Sequence, residues 1–153
     1  MYHNIESGLP NVCLENGYHE VKTAYGKSVV IHDVECLHFA IAATAVMERQ
    51  YLTRPEVRSI RKFLEKTQAE LAGLFGVEEQ SVRRWEKLPR VPKAADRAIR
   101  LLFLDMIRRE KPEVPQMQEI LERTEARPDL AQVNLRFRPQ AREKWKLEAR
   151  LAA

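Results

Sequence analysis

The stretch TQAELAGLFGVEEQSVRRWEK, residues 67–87, decides how the chain is read. Two short helices crossing at a steep angle need a small residue where they touch, a glycine in the bend, and apolar side chains aimed at one shared core. Ala72 supplies the small contact and Gly76 the bend, while Leu71, Phe75, Val77, Val82 and Trp85 are spaced to form the core. That assignment leaves Gln80, Ser81, Arg83, Arg84 and Lys87 facing outward on the second helix. Thr67 and Glu70 form a capping box for the first helix, hydroxyl and carboxylate each satisfying a backbone N–H of the opening turn. Gly76 takes positive φ at little cost and ends that helix; the second runs from about Glu79 to Lys87, where Pro89 stops it.

The same local rules extend outward. Tyr51 to Pro55 is a junction, after which Thr53 and Glu56 repeat the capping box and Val57, Ile60 and Leu64 form an inner stripe. Downstream, a helix is expected over 93–109, with Ala98, Leu101, Leu102, Met106 and their neighbours as an apolar band wide enough to cover the other three. Upstream, 11–31 has small apolar groups, an Asn16-Gly17 pair and a Tyr25-Gly26-Lys27 turn, the marks of a hairpin or short meander. Asp33 can cap a following helix to about Arg49, on which Val34, Leu37, Ile41, Ala45 and Glu48 share a face suited to packing on the sheet. Pro112 and Pro115 break the chain before a short helix over 116–125 anchored by Ile120 and Leu121. Residues 132–138 alternate with the period of a strand, and 139–153 read as a charged terminal helix. The expected architecture is mainly α: a small α+β domain over 1–50 for a partner or dimer contact, a helical domain over 51–111, and an extension over 112–153.

With 153 residues the chain suits one or two small domains, and 44% apolar against 31% charged residues is the balance of a folded globular protein. No apolar run approaches the roughly 20 residues of a membrane span. The first ten residues lack the basic start and apolar stretch of a secretory signal, so a cytoplasmic location is expected. Cys13 and Cys36 are too few for a disulfide framework and read as small apolar residues in a reducing compartment. The net charge of +4 is unevenly placed: −3 over 1–52, +6 over 53–111 and +1 over 112–153. A polyanion would therefore meet the middle third.

Residues 53–107 resemble the helix-turn-helix domain of the lambda-repressor-like (Cro/Xre) family, through the 67–87 motif quoted above. The resemblance implies a five-helix domain that lays the second helix of the motif in the DNA major groove, with its first helix across the backbone. Carried onto this sequence, it makes Glu79, Gln80 and Arg84 readers of bases, joined by Arg83, and puts Gln68 and Ser81 against phosphates. The chemistry suits them: Gln offers a donor and an acceptor to adenine, Arg a fork to guanine, and Glu an acceptor to cytosine N4. Lys87, Arg90 and Lys93, on the loop into the next helix, would grip the backbone. Two departures stand out: Glu78 and Glu79 begin the reading helix where a small hydroxyl or Asp/Asn is usual, and Leu88-Pro89 replaces the usual glycine after it. The resemblance implies a transcriptional regulator, a repressor binding a palindromic operator as a homodimer.

The opening residues, Tyr2-His3, Glu6, Gly8-Leu9, Asn11-Val12, Asn16-Gly17-Tyr18 and Tyr25-Gly26, are similar to the front of antitoxin-like bacterial regulators ending in the same motif. That similarity gives two alternatives: an antitoxin paired with a toxin protein that also autoregulates its operon, or a protein-interaction adaptor that has lost DNA binding. Some such proteins hold zinc on paired Cys-x-x-Cys ligands. Here His3, Cys13, His19, His32, Cys36 and His38 follow no structural zinc spacing, and neither metal nor cofactor is expected. Nor is an enzyme. There is no Gly-rich phosphate loop and no nucleophile elbow, and His32, Asp33 and Cys36 are close only in sequence. Phe39, Phe103, Phe137 and Trp145 are read as core or interface anchors. The basic residues Arg136, Arg138, Arg142, Lys144, Lys146 and Arg150 suit DNA phosphates, a partner's acidic surface or a solvated face.

Overall fold

The computed structural model describes residues 2, 3, 9, 11–125, 133–140 and 144–152. Among them are six helices and two small sheets, divided between two compact units, one of residues 1–41 with 132–153 and the other of residues 42–131.

The first unit is built on a four-stranded sheet in the order β1 (Tyr2–His3), β2 (Val12–Leu14), β5 (Val133–Gln140), β6 (Lys144–Ala152). The β2–β5 pair is parallel, with Val12 opposite Leu135 and Leu14 opposite Phe137; the outer pairs are antiparallel. A separate hairpin joins β3 (Tyr18–Thr23) to β4 (Gly26–Ile31), turning at Ala24-Tyr25, one residue ahead of the Tyr25-Gly26-Lys27 that the sequence suggests. The first half of α1 (Val34–Glu48) lays Leu37 and Ile41 on a core of Leu9, Val12, Leu14, Leu135 and Phe137. Tyr18 and Ile31 pack on that core from the base of the hairpin. Asp33 caps α1 as expected, its carboxylate accepting the Cys36 N–H at 3.3 Å.

One expectation fails in this unit. Residues 144–152 form a strand rather than a terminal helix, because β5 offers an edge and β6 pairs along its whole length. Since β5 pairs with β2, the segment after 131 belongs to the same sheet as the opening strands. The two compact units meet along the chain at 41/42 and 131/132.

The second unit contains the end of α1, then α2 (Arg54–Phe63), α3 (Gln68–Phe75), α4 (Glu79–Trp85), α5 (Lys93–Arg108) and α6 (Met117–Glu125). Val57, Ile60 and Leu64 are buried as their spacing predicts. On α5 the predicted band is misplaced. Leu101 and Met106 are 52% and 43% exposed, and the buried face is Ala95, Ile99, Phe103, Leu104 and Ile107. Two charged residues share that face, and they account for its rotation. Arg100 is fully buried, donating to Asp96 (2.6 Å) and to the Val46 carbonyl at the end of α1 (2.6 Å). Asp96 in turn accepts the Leu52 N–H at 2.7 Å. The orphan carbonyls of the α1 C-terminus are thus met from α5, and from α6, where Arg123 donates to Met47 O at 3.0 Å. Nearby, Arg49 and Glu56 make a buried ion pair at 2.6 Å, and the Glu56 carboxylate also accepts the Thr53 N–H at 2.9 Å. Burial pushes the Glu56 pKa up, while Arg49 and Thr53 push it the other way.

Candidate nucleic-acid interface

The α3–α4 pair follows from its sequence turn by turn. Thr67 caps α3, its hydroxyl accepting the Glu70 N–H at 3.1 Å and its own N–H donating to the Glu70 carboxylate at 2.7 Å. The hydrogen bonds that Glu70 accepts hold its pKa below the ordinary glutamate range. Gly76 ends α3 at φ 65°, ψ 32°, the left-handed conformation that its lack of a Cβ makes inexpensive. Leu71, Ala72, Val82 and Trp85 are buried where the two helices meet, and the Phe75 and Trp85 rings lie 6.2 Å apart. Val77 departs from expectation. It sits in the turn, 38% exposed, and adds little to the shared core.

α4 closes at Trp85, two residues earlier than its pattern suggests; in the turn that follows, the Lys87 N–H reaches Arg84 O, three residues back, at 2.9 Å. Its outward face carries Glu79, Gln80, Arg83 and Arg84, all exposed, with Ser81 half-buried. The four differ in what holds them. Arg83 donates to Glu79 one turn earlier (2.7 Å) and to Gln68 on α3 (3.4 Å). Gln80 and Arg84 have no side-chain partner among the described residues and project into solvent. The Glu79–Arg83 pair is 43% and 49% exposed, so solvent screens it and either partner can exchange it for another contact at small cost.

Gln68 is fixed more firmly. Its amide donates to the Glu86 carboxylate at 3.0 Å, and Glu86 receives a two-pronged contact from Arg61 of α2, at 2.5 and 3.2 Å. Arg61 also donates to Lys66 O at 2.9 Å. One acidic side chain thereby joins α2, α3 and the end of α4, and it sets where the Gln68 amide stands relative to the reading helix. Around this network lies an open cleft of about 470 Å³ lined by Arg58, Arg61, Gln68, Arg83, Glu86 and Lys87. Four of the six are cationic and one is acidic, so an anion entering the cleft meets excess positive charge.

Of the remaining predicted backbone contacts, Lys87 is exposed while its carbonyl is held by Arg54 at 3.1 Å. Arg90 places its guanidinium 5.3 Å over the Tyr51 ring, which orients it. Lys93 is exposed at the first position of α5. Sequence reasoning missed Arg58 and Arg61. The signal was present, since Arg54, Arg58 and Arg61 fall at i, i+4 and i+7 along one helix face.

Among the described residues no helix is long and apolar enough to cross a membrane. No protein-family model, no curated protein and no solved structure matches the chain.

Proposed function

We propose that the protein is a sequence-specific double-stranded DNA-binding transcriptional regulator, a repressor that engages a near-palindromic operator as a homodimer. The observation that carries this reading is the pairing of α3 with an outward-facing α4 whose Gln80 and Arg84 are unengaged, beside a cationic cleft. Four helices, α2 to α5, fall in the stretch that carries the lambda-repressor-like resemblance. Gln80 and Arg84 read base edges, with Arg83 and Glu79 joining once their mutual contact opens. Gln68, Ser81, Lys87, Arg90 and Lys93 position the backbone. A dimer would place its two reading helices one duplex turn apart, roughly 34 Å.

The test begins with selection of preferred duplexes from a random pool, the DNA upstream of the protein's own gene included. Arg84→Ala should cost about 1–3 kcal/mol on the preferred site and relax the preference at one position. Lys93→Ala should weaken preferred and random duplexes alike and flatten the salt dependence by about one unit of log–log slope. Identical behaviour of the two variants on both kinds of DNA overturns the assignment.

A second reading, an adaptor that uses the same fold to hold an acidic or basic protein surface, draws on the Glu79–Arg83 pair and the exposed Glu78 beside it. These carboxylates repel phosphate. Failure to bind any duplex even at low salt selects that reading.

A further inference from the structure

We propose that His19 and His32 form a two-histidine site for a divalent transition-metal ion of the Zn2+ or Cu2+ type on the β3–β4 hairpin. The hairpin register sets His19 opposite Val30, and the His32 N–H extends the ladder by one step to Gly17 O at 2.8 Å. His19 and His32 are therefore diagonal neighbours on one face of the ribbon, a separation that long side chains bridge. Tyr18 and Ile31, which alternate with them, point to the core. The histidine face is the solvent face, and both residues are exposed.

The rings meet through His19 Nδ1 and His32 Nε2, 3.1 Å apart, with ring centroids 5.3 Å apart and planes at 79°. Two nitrogens bound to one tetrahedral ion at about 2.0–2.1 Å each are separated by roughly 3.3 Å. The observed pair is within a few tenths of an ångström of that spacing, so small side-chain rotations bring both lone pairs onto one ion. Without metal, one ring's N–H donates to the other's lone pair. On binding, each ring meets the ion through the nitrogen that now faces the other ring, the ring that donated in the metal-free pair changes tautomer by exchanging its proton with solvent, and water fills the remaining positions. Imidazole selects zinc, copper and nickel over magnesium or calcium, which demand oxygen ligands.

The surroundings give such an ion something to do. Tyr25 at the turn is fully exposed, and Val21 and Val30 lie open along the strands. A two-stranded ribbon with so little covering is marginal by itself. An ion chelated across the strands binds only the paired form and stabilises it. A second close pair of ligand-type side chains among the described residues, His3 Nδ1 and Cys13 Sγ at 3.2 Å, makes a poor competitor. Cys13 is 2% exposed, and burial pushes its thiol pKa up, against formation of the thiolate that metals bind.

The tag-free full chain is titrated with zinc chloride and copper(II) chloride by calorimetry, with magnesium chloride as the control. One ion per chain is expected for each transition metal, and none for magnesium. His19→Ala and His32→Ala should each weaken binding about tenfold or more, and His3→Ala should leave it unchanged. The His19 and His32 ring resonances of the native chain should shift with zinc while those of His3 and His38 stay put. That measurement decides the matter even if an alanine variant misfolds. Undiminished binding in both alanine variants, a zinc shift confined to His3 or His38, or no saturable binding overturns the site.

Discussion

Two residues in the left-handed region show what a single side chain is worth here. Gly76 ends α3 at φ 65°, and a Cβ built on it meets no other atom within 4 Å, so a substitution there is strained by backbone conformation alone. Gly76→Ala should cost about 1 kcal/mol, and the neighbouring elements should keep their places. Glu65, which follows α2 at φ 55°, is the opposite case, because a residue with a Cβ occupies a conformation that suits glycine. Glu65→Gly should stabilise by about 0.5–1 kcal/mol, and thermal unfolding of the two variants should move in opposite directions. Glu70 makes a prediction in pH. Hydrogen bonds at the start of α3 lower its pKa, so its contribution is full above the unfolded value and is lost as pH falls through the folded one. Glu70→Gln should therefore melt earlier than the native protein at neutral pH, and the gap should close as pH falls through the lowered pKa of the folded state.

Among the elements, those governed by local chemistry were legible in the sequence and those governed by distant partners were not. Capping boxes, Gly76 and the Val57, Ile60, Leu64 stripe act over a few residues, and α2 and α3 start within a residue of where these signals put them. β6 was misread because its charged composition suits a surface helix, and only the edge of β5, closed by a pairing with β2, favours the extended form. α5 was turned the wrong way because Asp96 and Arg100 look like surface charges until the carbonyls of α1 and the Leu52 N–H are there to meet them. The candidate site follows the same division. The outward face of α4 could be read from spacing, whereas the Glu86 contacts that fix Gln68 and Arg61 join positions 18 and 25 residues apart. The buried Arg49–Glu56 pair gives this scale its prediction. Glu56→Ala leaves a guanidinium buried without its counter-charge and should cost about 3–5 kcal/mol in urea unfolding. Replacing both by apolar residues of similar volume should recover most of that loss.

For the molecule as a whole, charge and connectivity assign different work to the two units. The residues proposed to touch DNA all lie in the 42–131 unit, while the proposed histidine site lies in the other. Zinc should accordingly leave the salt dependence of DNA binding unchanged, since no phosphate contact is gained or lost. Their assembly differs in another way. The helical unit is one unbroken run of sequence, whereas the four-stranded sheet needs β5 and β6, which are synthesised after every helix among the described residues. Until then Val12 and Leu14 lack the strand that carries Leu135 and Phe137, and β2 presents a bare apolar edge to other nascent chains. Slow translation through the downstream third would prolong that exposure, and a chaperone that shelters short apolar strands would have its purpose during those seconds.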